Sequence, residues 1–183
     1  FSRGATESIA RNPCHHKMSA SLYANPHQMG NIVDQLDVVI LGASEIDLGF
    51  NVNVTTGSDG VILGGSGGHA DTAAGAKLSV IVTKLVNARR GAVVDRVRTV
   101  TTPGETVDLL VTDLGIAVNP KNQTLCDALR TQGKLPIRSI DELYELAIEI
   151  TGVPKKRAEG DRIVAVSQYR DGTILDVIRN IVE

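Results

Sequence analysis

About a third of the way along the chain lies Gly64-Gly65-Ser66-Gly67-Gly68, with four glycines in five positions. Ordering a glycine in place of an alanine costs roughly 0.5–1 kcal/mol, so the run costs roughly 2–4 kcal/mol. A tight turn needs one or two glycines. Four indicate a backbone that something approaches closely, its N–H groups turned toward an anion or an oxyanion. The alternative is a crossover loop packed tightly against a neighbouring strand. Val61-Ile62-Leu63 leads in as a short strand, and residues 69–77 lead out as a helix of small side chains. A strand, a glycine loop and a helix in that order point to an α/β fold.

Composition agrees. Aromatic residues make up 3% of the chain and Trp is absent, so the core must be built from Val, Ile, Leu and Ala. At 183 residues the chain can bury a good core as a single domain. A formal net charge of −2 gives no reason to expect a nucleic-acid surface. No apolar run reaches the roughly 18–20 residues of a membrane span. Arg3, Glu7 and Arg11 interrupt the first stretch, so no signal peptide is visible. Cys14 and Cys126 form no CxxC pair, and a reducing cytoplasm is the expected setting. The first residue is Phe1 rather than Met, which reads as a segment of a longer protein.

Hydrophobic periodicity gives the element order. Residues 1–30 read as irregular, broken by Pro13, Pro26 and Gly30, with a short helix at 29–36. Residues 37–41 and 78–82 are continuous β-branched runs and read as buried strands. Asn51-Val52-Asn53-Val54 alternates as a half-buried strand, and residues 56–60 form a turn. Residues 92–94 and 97–100 continue the β pattern before a Pro103-Gly104 turn; residues 109–112 and 115–118 flank Asp113 as two further strands. A helix over 122–132 presents Leu125, Ala128 and Leu129 and stops at Gly133. Ser139 and Glu142 fit a capping box opening a second helix, whose stripe is Ile140, Leu143, Leu146, Ala147 and Ile150. Asp171-Gly172 between two apolar runs signals a hairpin.

Glu45 is the sharpest candidate for chemistry. It follows a strand, where ligand sites of open α/β sheets collect, and a carboxylate there can attack, take a proton or orient a substrate. Asp47 competes for that role, because alternation places it on the same side. The glycine loop fits neither Walker A, since His69 and Ala70 follow Gly68, nor the dinucleotide fingerprint. Gly64, Ser66 and Gly68 formally match a nucleophile elbow, but the doubled glycines favour backbone chemistry. His69 and Asp71 stand two apart with no partner cluster, so no metal site is expected. Lys155-Lys156-Arg157 reads as a solvated linker. Together with Arg89 and Arg90, it is also a candidate for steering an acidic partner.

These residues resemble a known family. Residues 44–53 followed by 64–76 look like the CoA-transferase superfamily, with a glutamate at a strand end, an asparagine-bearing strand and then the glycine loop. Tyr23-Ala24-Asn25-Pro26, Thr56-Gly57-Ser58-Asp59-Gly60, residues 115–120 and Tyr169-Arg170-Asp171-Gly172 narrow the resemblance to citrate lyase alpha subunits. It implies an open mixed sheet flanked by helices, of the CoA-transferase (ribose-phosphate isomerase-like) type. It also implies that residues 1–183 are the C-terminal portion of such a domain. The implied reaction exchanges acyl groups on a carrier-protein thioester: acetyl-carrier plus citrate gives citryl-carrier plus acetate. Glu45 is then the catalytic carboxylate, either carrying the thioester covalently or assisting direct transfer. Gly64, Gly65, Ser66, Gly67, Gly68 and His69 would hold the CoA-like arm of the carrier, and Asn51 and Asn53 the acid substrate. No resident cofactor or metal is implied. The implied partners are the citrate lyase beta subunit and the acyl carrier protein (gamma subunit) in a hetero-oligomer. A transferase or thioester hydrolase for another short acid, and a ligand-sensing domain of related fold, are the competing expectations.

Overall fold

The computed structural model describes residues 2–182. Helices α1 (Arg3–Arg11) and α2 (Ala20–Ala24) precede a 3-10 turn at Val33–Gln35. Strands β1 (Val38–Gly42), β2 (Glu45–Asp47) and β3 (Val52–Asn53) come next, then α3 (His69–Gly75) and β4 (Leu78–Val82). The short strands β5 (Val86–Asn87), β6 (Arg90–Gly91) and β7 (Val93–Val94) lead to a second 3-10 turn at Gly104–Thr106. After it stand β8 (Leu109–Thr112), β9 (Gly115–Val118), α4 (Gln123–Gln132), β10 (Ile137–Arg138) and α5 (Ile140–Thr151). The long strands β11 (Glu159–Gln168) and β12 (Ile174–Ile181) form a hairpin.

The main sheet has the order β1-β4-β8-β9-β10, parallel except where β8 meets β9. A smaller sheet, β3-β2-β7, pairs β2 antiparallel with β3 and parallel with β7. This is the open mixed sheet with flanking helices that the sequence leads one to expect. The core draws Ile46 and Val52 from the small sheet and Phe50 from the turn between β2 and β3, Ile81, Leu110 and Ala117 from the large sheet, and Ile140, Leu143 and Ala147 from α5. The capping box of α5 is present, Ser139 and Glu142 each bonding the other's backbone N–H.

Several expectations change. Val61-Ile62-Leu63 is not a strand, since Ile62 makes only an isolated bridge with Thr56, and the helix at 29–36 shrinks to the 3-10 turn at Val33–Gln35. Two short helices occupy part of residues 1–30, each capped by a serine (Ser2 and Ser19) whose side chain accepts a backbone N–H. Residues 37–41 do form a strand, but only one face of β1 is covered, so Val39 is buried while Val38 and Ile40 on the other face are exposed. In α4 the buried residue is Cys126, and Ala128 faces solvent. Residues 97–100 are not a strand, because carboxylates satisfy their backbone. Asp47 Oδ2 accepts the Val97 N–H at 3.2 Å, and Asp176 Oδ2 accepts that of Val100 at 3.0 Å.

Two glycines are required by close packing. A Cβ on Gly104 would stand 1.9 Å from the Gly49 carbonyl oxygen, and one on Gly75 would meet Val33 at 2.8 Å. The first crossing seats the 3-10 turn at Gly104–Thr106 on the β2–β3 turn. The second seats α3 on the turn at Val33–Gln35.

Candidate active site

The β2–β3 hairpin carries two acid–amide pairs. Register sets Glu45 opposite Asn53, and the Asn53 amide donates to Glu45 Oε2 at 3.2 Å. Two steps along β2, the Asn51 amide donates to both oxygens of Asp47 at 3.2 Å. Side chains directly opposite in an antiparallel pair come within reach of each other, so the spacing of the four residues builds both pairs.

Glu45 is 5% exposed, and both of its oxygens are held by side chains. Oε1 accepts the Ser58 hydroxyl, and Oε2 accepts the Asn53 amide. Asn53 is itself locked. Its amide also donates to the Thr56 carbonyl at 2.8 Å, while its Oδ1 accepts the N–H groups of Thr55 and Thr56 at 3.0 Å. Behind it Thr56 bonds Thr99, and Thr55 bonds Thr101, each at 2.9 Å. The segment containing these threonines is fastened to the long hairpin by Ser167, whose hydroxyl donates to the Val100 carbonyl at 2.7 Å. The carboxylate is therefore oriented by a continuous buried network, and a buried polar network of this kind fixes geometry when every member is satisfied. In front of Glu45 opens a cleft of about 350 Å³, walled by Ala43, Ser44, Ser58, Leu63 and Arg90 among others.

The glycine loop leaves the cleft wall at Leu63 and is anchored at its far end by His69, which does not itself line the cleft. Leu63 N–H donates to the Thr55 carbonyl at 2.8 Å. His69 Nε2 donates to the Gly42 carbonyl at 2.8 Å, and Nδ1 accepts the Thr102 hydroxyl at 2.7 Å. A carbonyl only accepts, so this pattern selects the neutral Nε2–H tautomer. Burial holds the imidazole below the ordinary histidine value, opposed by the bond to Gly42. Between these anchors Gly64–Gly68 are all exposed. A Cβ on Gly64, Gly65 or Gly67 would meet nothing within 4 Å, and only Gly67 of the four glycines has a left-handed backbone, with φ 54°. The loop is therefore not packed against a strand. Among the described residues no acceptor takes the N–H groups of Gly65, Ser66, Gly67 or Gly68. These donors are free, although the five loop residues do not themselves line the cleft.

The structure therefore brings Glu45, with Asn53 bonded to it, and Leu63, the first anchor of the glycine loop, to one cleft, and leaves His69 outside its lining. It sets Asn51 apart, at the turn end of the hairpin, where the amide bonds Asp47 and Oδ1 accepts the Gly104 N–H at 2.9 Å. Asp47 faces the same turn. Oδ1 accepts the N–H groups of Gly49 and Asn51, each at 2.9 Å, stabilising a turn in which buried Phe50 takes φ 62°. Asp71 lies 3.7 Å from Arg170, away from the bonds His69 makes. The Ser66 hydroxyl has only a long 3.5 Å contact with the Gly67 carbonyl. Ser58 and Arg90 stand at the cleft without having been singled out for it. Ser58 sits in a stretch whose sequence signals only a turn, and its contact with Glu45 spans 13 positions.

A mixed α/β chain with a buried, side-chain-held carboxylate at a cleft beside a free-standing glycine loop is the class defined so far. Residues 1–181 match the family model described as citrate lyase, alpha subunit. The chain belongs to that family. It is 51% identical over 181 residues to the citrate lyase alpha chain of Klebsiella pneumoniae, covering 99% of this chain and 35% of that one. It is 52% identical over 178 residues to the Haemophilus influenzae citrate lyase alpha chain, covering 97% and 35%. The fold also matches a crystal structure described as an alpha subunit of citrate lyase in complex with citrate, from Streptococcus mutans. That match has a TM-score of 0.94 and 46% identity, over all of this chain and 36% of that one. The chain thus spans about a third of the length of the relatives it matches. No helix among the described residues is long and apolar enough to cross a membrane.

Proposed function

We propose that this chain contributes the carboxylate of an acyl-exchange site: acetyl-thioester of an acyl carrier protein plus citrate gives citryl-thioester plus acetate. The observation that carries the reading is Glu45, buried yet facing a cleft, with one donor fixed on each oxygen. Membership of the citrate lyase alpha-subunit family supplies the substrate class.

Two routes use this geometry. In the covalent one, a Glu45 oxygen attacks the acetyl thioester carbonyl and expels the carrier thiolate, leaving a mixed anhydride. The thiolate then attacks the glutamyl carbonyl and releases acetate, and citrate repeats the sequence in reverse to leave as citryl-thioester. In the direct one, a citrate carboxylate attacks the acetyl thioester, and the expelled thiolate attacks the citryl carbonyl of the resulting anhydride. Glu45 then orients the acid. Neither route consumes a proton, and both build negative charge on a carbonyl oxygen. The free N–H donors from Gly65 to Gly68 are of the kind that stabilises such an oxyanion, each worth roughly 3–4 kcal/mol when well placed. The reading includes no resident cofactor. The CoA-like group arrives on the carrier protein, the cleavage partner is the beta subunit, and the assembly is cytoplasmic.

The test is citryl-thioester formation by the whole subunit, wild type beside Glu45→Gln. Loss of at least three orders of magnitude in rate is expected, roughly 4 kcal/mol of barrier. Wild-type rates in the variant would remove Glu45 from the chemistry.

A further inference from the structure

Citrate carries three carboxylates and acetate one. A site that exchanges them must compensate two more negative charges for one acid than for the other, beside a glutamate that is itself anionic when it acts. Among the cleft-lining residues, Arg90 is the one cation, and Glu45 the one other charged group. Like charges brought together out of water raise each other's cost unless a cation intervenes.

Arg90 is built into that position. It opens β6, and its neighbour Gly91 lies where a Cβ would stand 3.1 Å from Ala147 on α5, so the strand cannot shift inward. The turn ahead of it, Ala88 and Arg89, has φ of 48° and 67° in two residues that carry side chains. Non-glycine residues take that conformation when their surroundings require it. The Arg90 Nη2 donates to Asp59 Oδ2 at 3.1 Å. Its Nη1 reaches over the backbone of Gly57, 3.5 Å from where a Cβ would be. Gly57 adjoins Ser58, whose hydroxyl rests on Glu45. A guanidinium has five N–H donors. Among the described residues only the one to Asp59 is used, and the side chain is 56% exposed. The others remain for a planar, two-oxygen acceptor, which this fork fits better than any other cationic side chain.

We propose that Arg90 is the specificity-determining cation of the acceptor site, binding a carboxylate that citrate has and acetate lacks, with Asp59 fixing the plane of the guanidinium. This rests on the reading of Glu45 as the transfer carboxylate. The competing role is a structural latch, in which the Arg90–Asp59 pair merely closes the β5–β6 hairpin onto the turn at residues 56–60.

The experiment uses the whole subunit with acetyl-loaded carrier protein, and measures citryl-thioester formation from citrate beside exchange of radiolabelled acetate. Wild type, Arg90→Gln, Arg90→Lys and Glu45→Gln are compared. Arg90→Gln is expected to lower kcat/KM for citrate at least tenfold more than for acetate, chiefly through KM, and Arg90→Lys to recover part of the difference. Equal losses on both acids, or an unchanged ratio, overturn the proposal in favour of the latch. Glu45→Gln keeping both activities overturns the underlying reading of the carboxylate, whatever the Arg90 variants do.

Discussion

Glu45 and Asp47 are two carboxylates on one three-residue strand, both buried, each paired with an asparagine across the same hairpin. They differ in what else they hold. Asp47 accepts the backbone N–H groups of Gly49, Asn51 and Val97 and so is part of the chain's own framework. Glu45 accepts only side chains, Ser58 and Asn53, and faces an open cleft. A carboxylate that satisfies main-chain donors cannot leave them without stranding buried groups. A carboxylate held by side chains can exchange a partner for a substrate. The two ends of one hairpin thus divide structure from chemistry.

The most disruptive way to probe the framework end is Gly104→Ala. Its Cβ would collide with the Gly49 carbonyl oxygen, backbone against backbone, with no flexible side chain to yield. Denaturant unfolding of the whole subunit should show a loss of about 3 kcal/mol or more. Gly65→Ala sharpens the contrast from the other side. Nothing lies within 4 Å of that Cβ and the backbone there is not left-handed, so stability should change by less than about 0.5 kcal/mol. Citryl-thioester formation should fall about tenfold, equivalent to roughly 1.4 kcal/mol. An unaffected rate would detach the loop from the site. The smallest effect concerns pH. The folded-state pKa of His69 is depressed, so the unfolded chain takes up the proton first as pH falls. The stability it contributes is complete above the ordinary histidine value of about 6.5 and is lost below it, down through the folded value. Thermal midpoints at pH 7.5 and 5.5 should fall further in wild type than in His69→Gln, by on the order of 2 °C.

Much of this was legible in the residues. Glu45 could be picked out because a strand end, an asparagine strand and a glycine run stand in order. The hairpin at Asp171-Gly172 and the capping box at Ser139 are local signals, and local signals read well. The division of labour between Glu45 and Asp47 was not legible. Alternation put both on one face, and what separates them is the backbone of residues 97–100 and the hydroxyl of Ser58, contacts made by tertiary structure. Gly104 looked like an ordinary turn residue, because the carbonyl it must clear is 55 positions away in sequence. The uncovered face of β1 was hidden for the same reason: a β-branched run records its preference for strand and not which of its two faces is covered.

The comparison is tested most directly by measuring both unfolding free energy and citryl-thioester formation for Glu45→Gln beside Asp47→Asn in the whole subunit. The account predicts that transfer is lost in Glu45→Gln at a stability cost of about 1–2 kcal/mol, since the amide oxygen can still accept from Ser58 while its NH2 faces the Asn53 donor. It predicts that Asp47→Asn costs about 2 kcal/mol of stability, with transfer per folded molecule retained within a few-fold. Reversal of the two, with transfer surviving in Glu45→Gln and vanishing in folded Asp47→Asn, would contradict it.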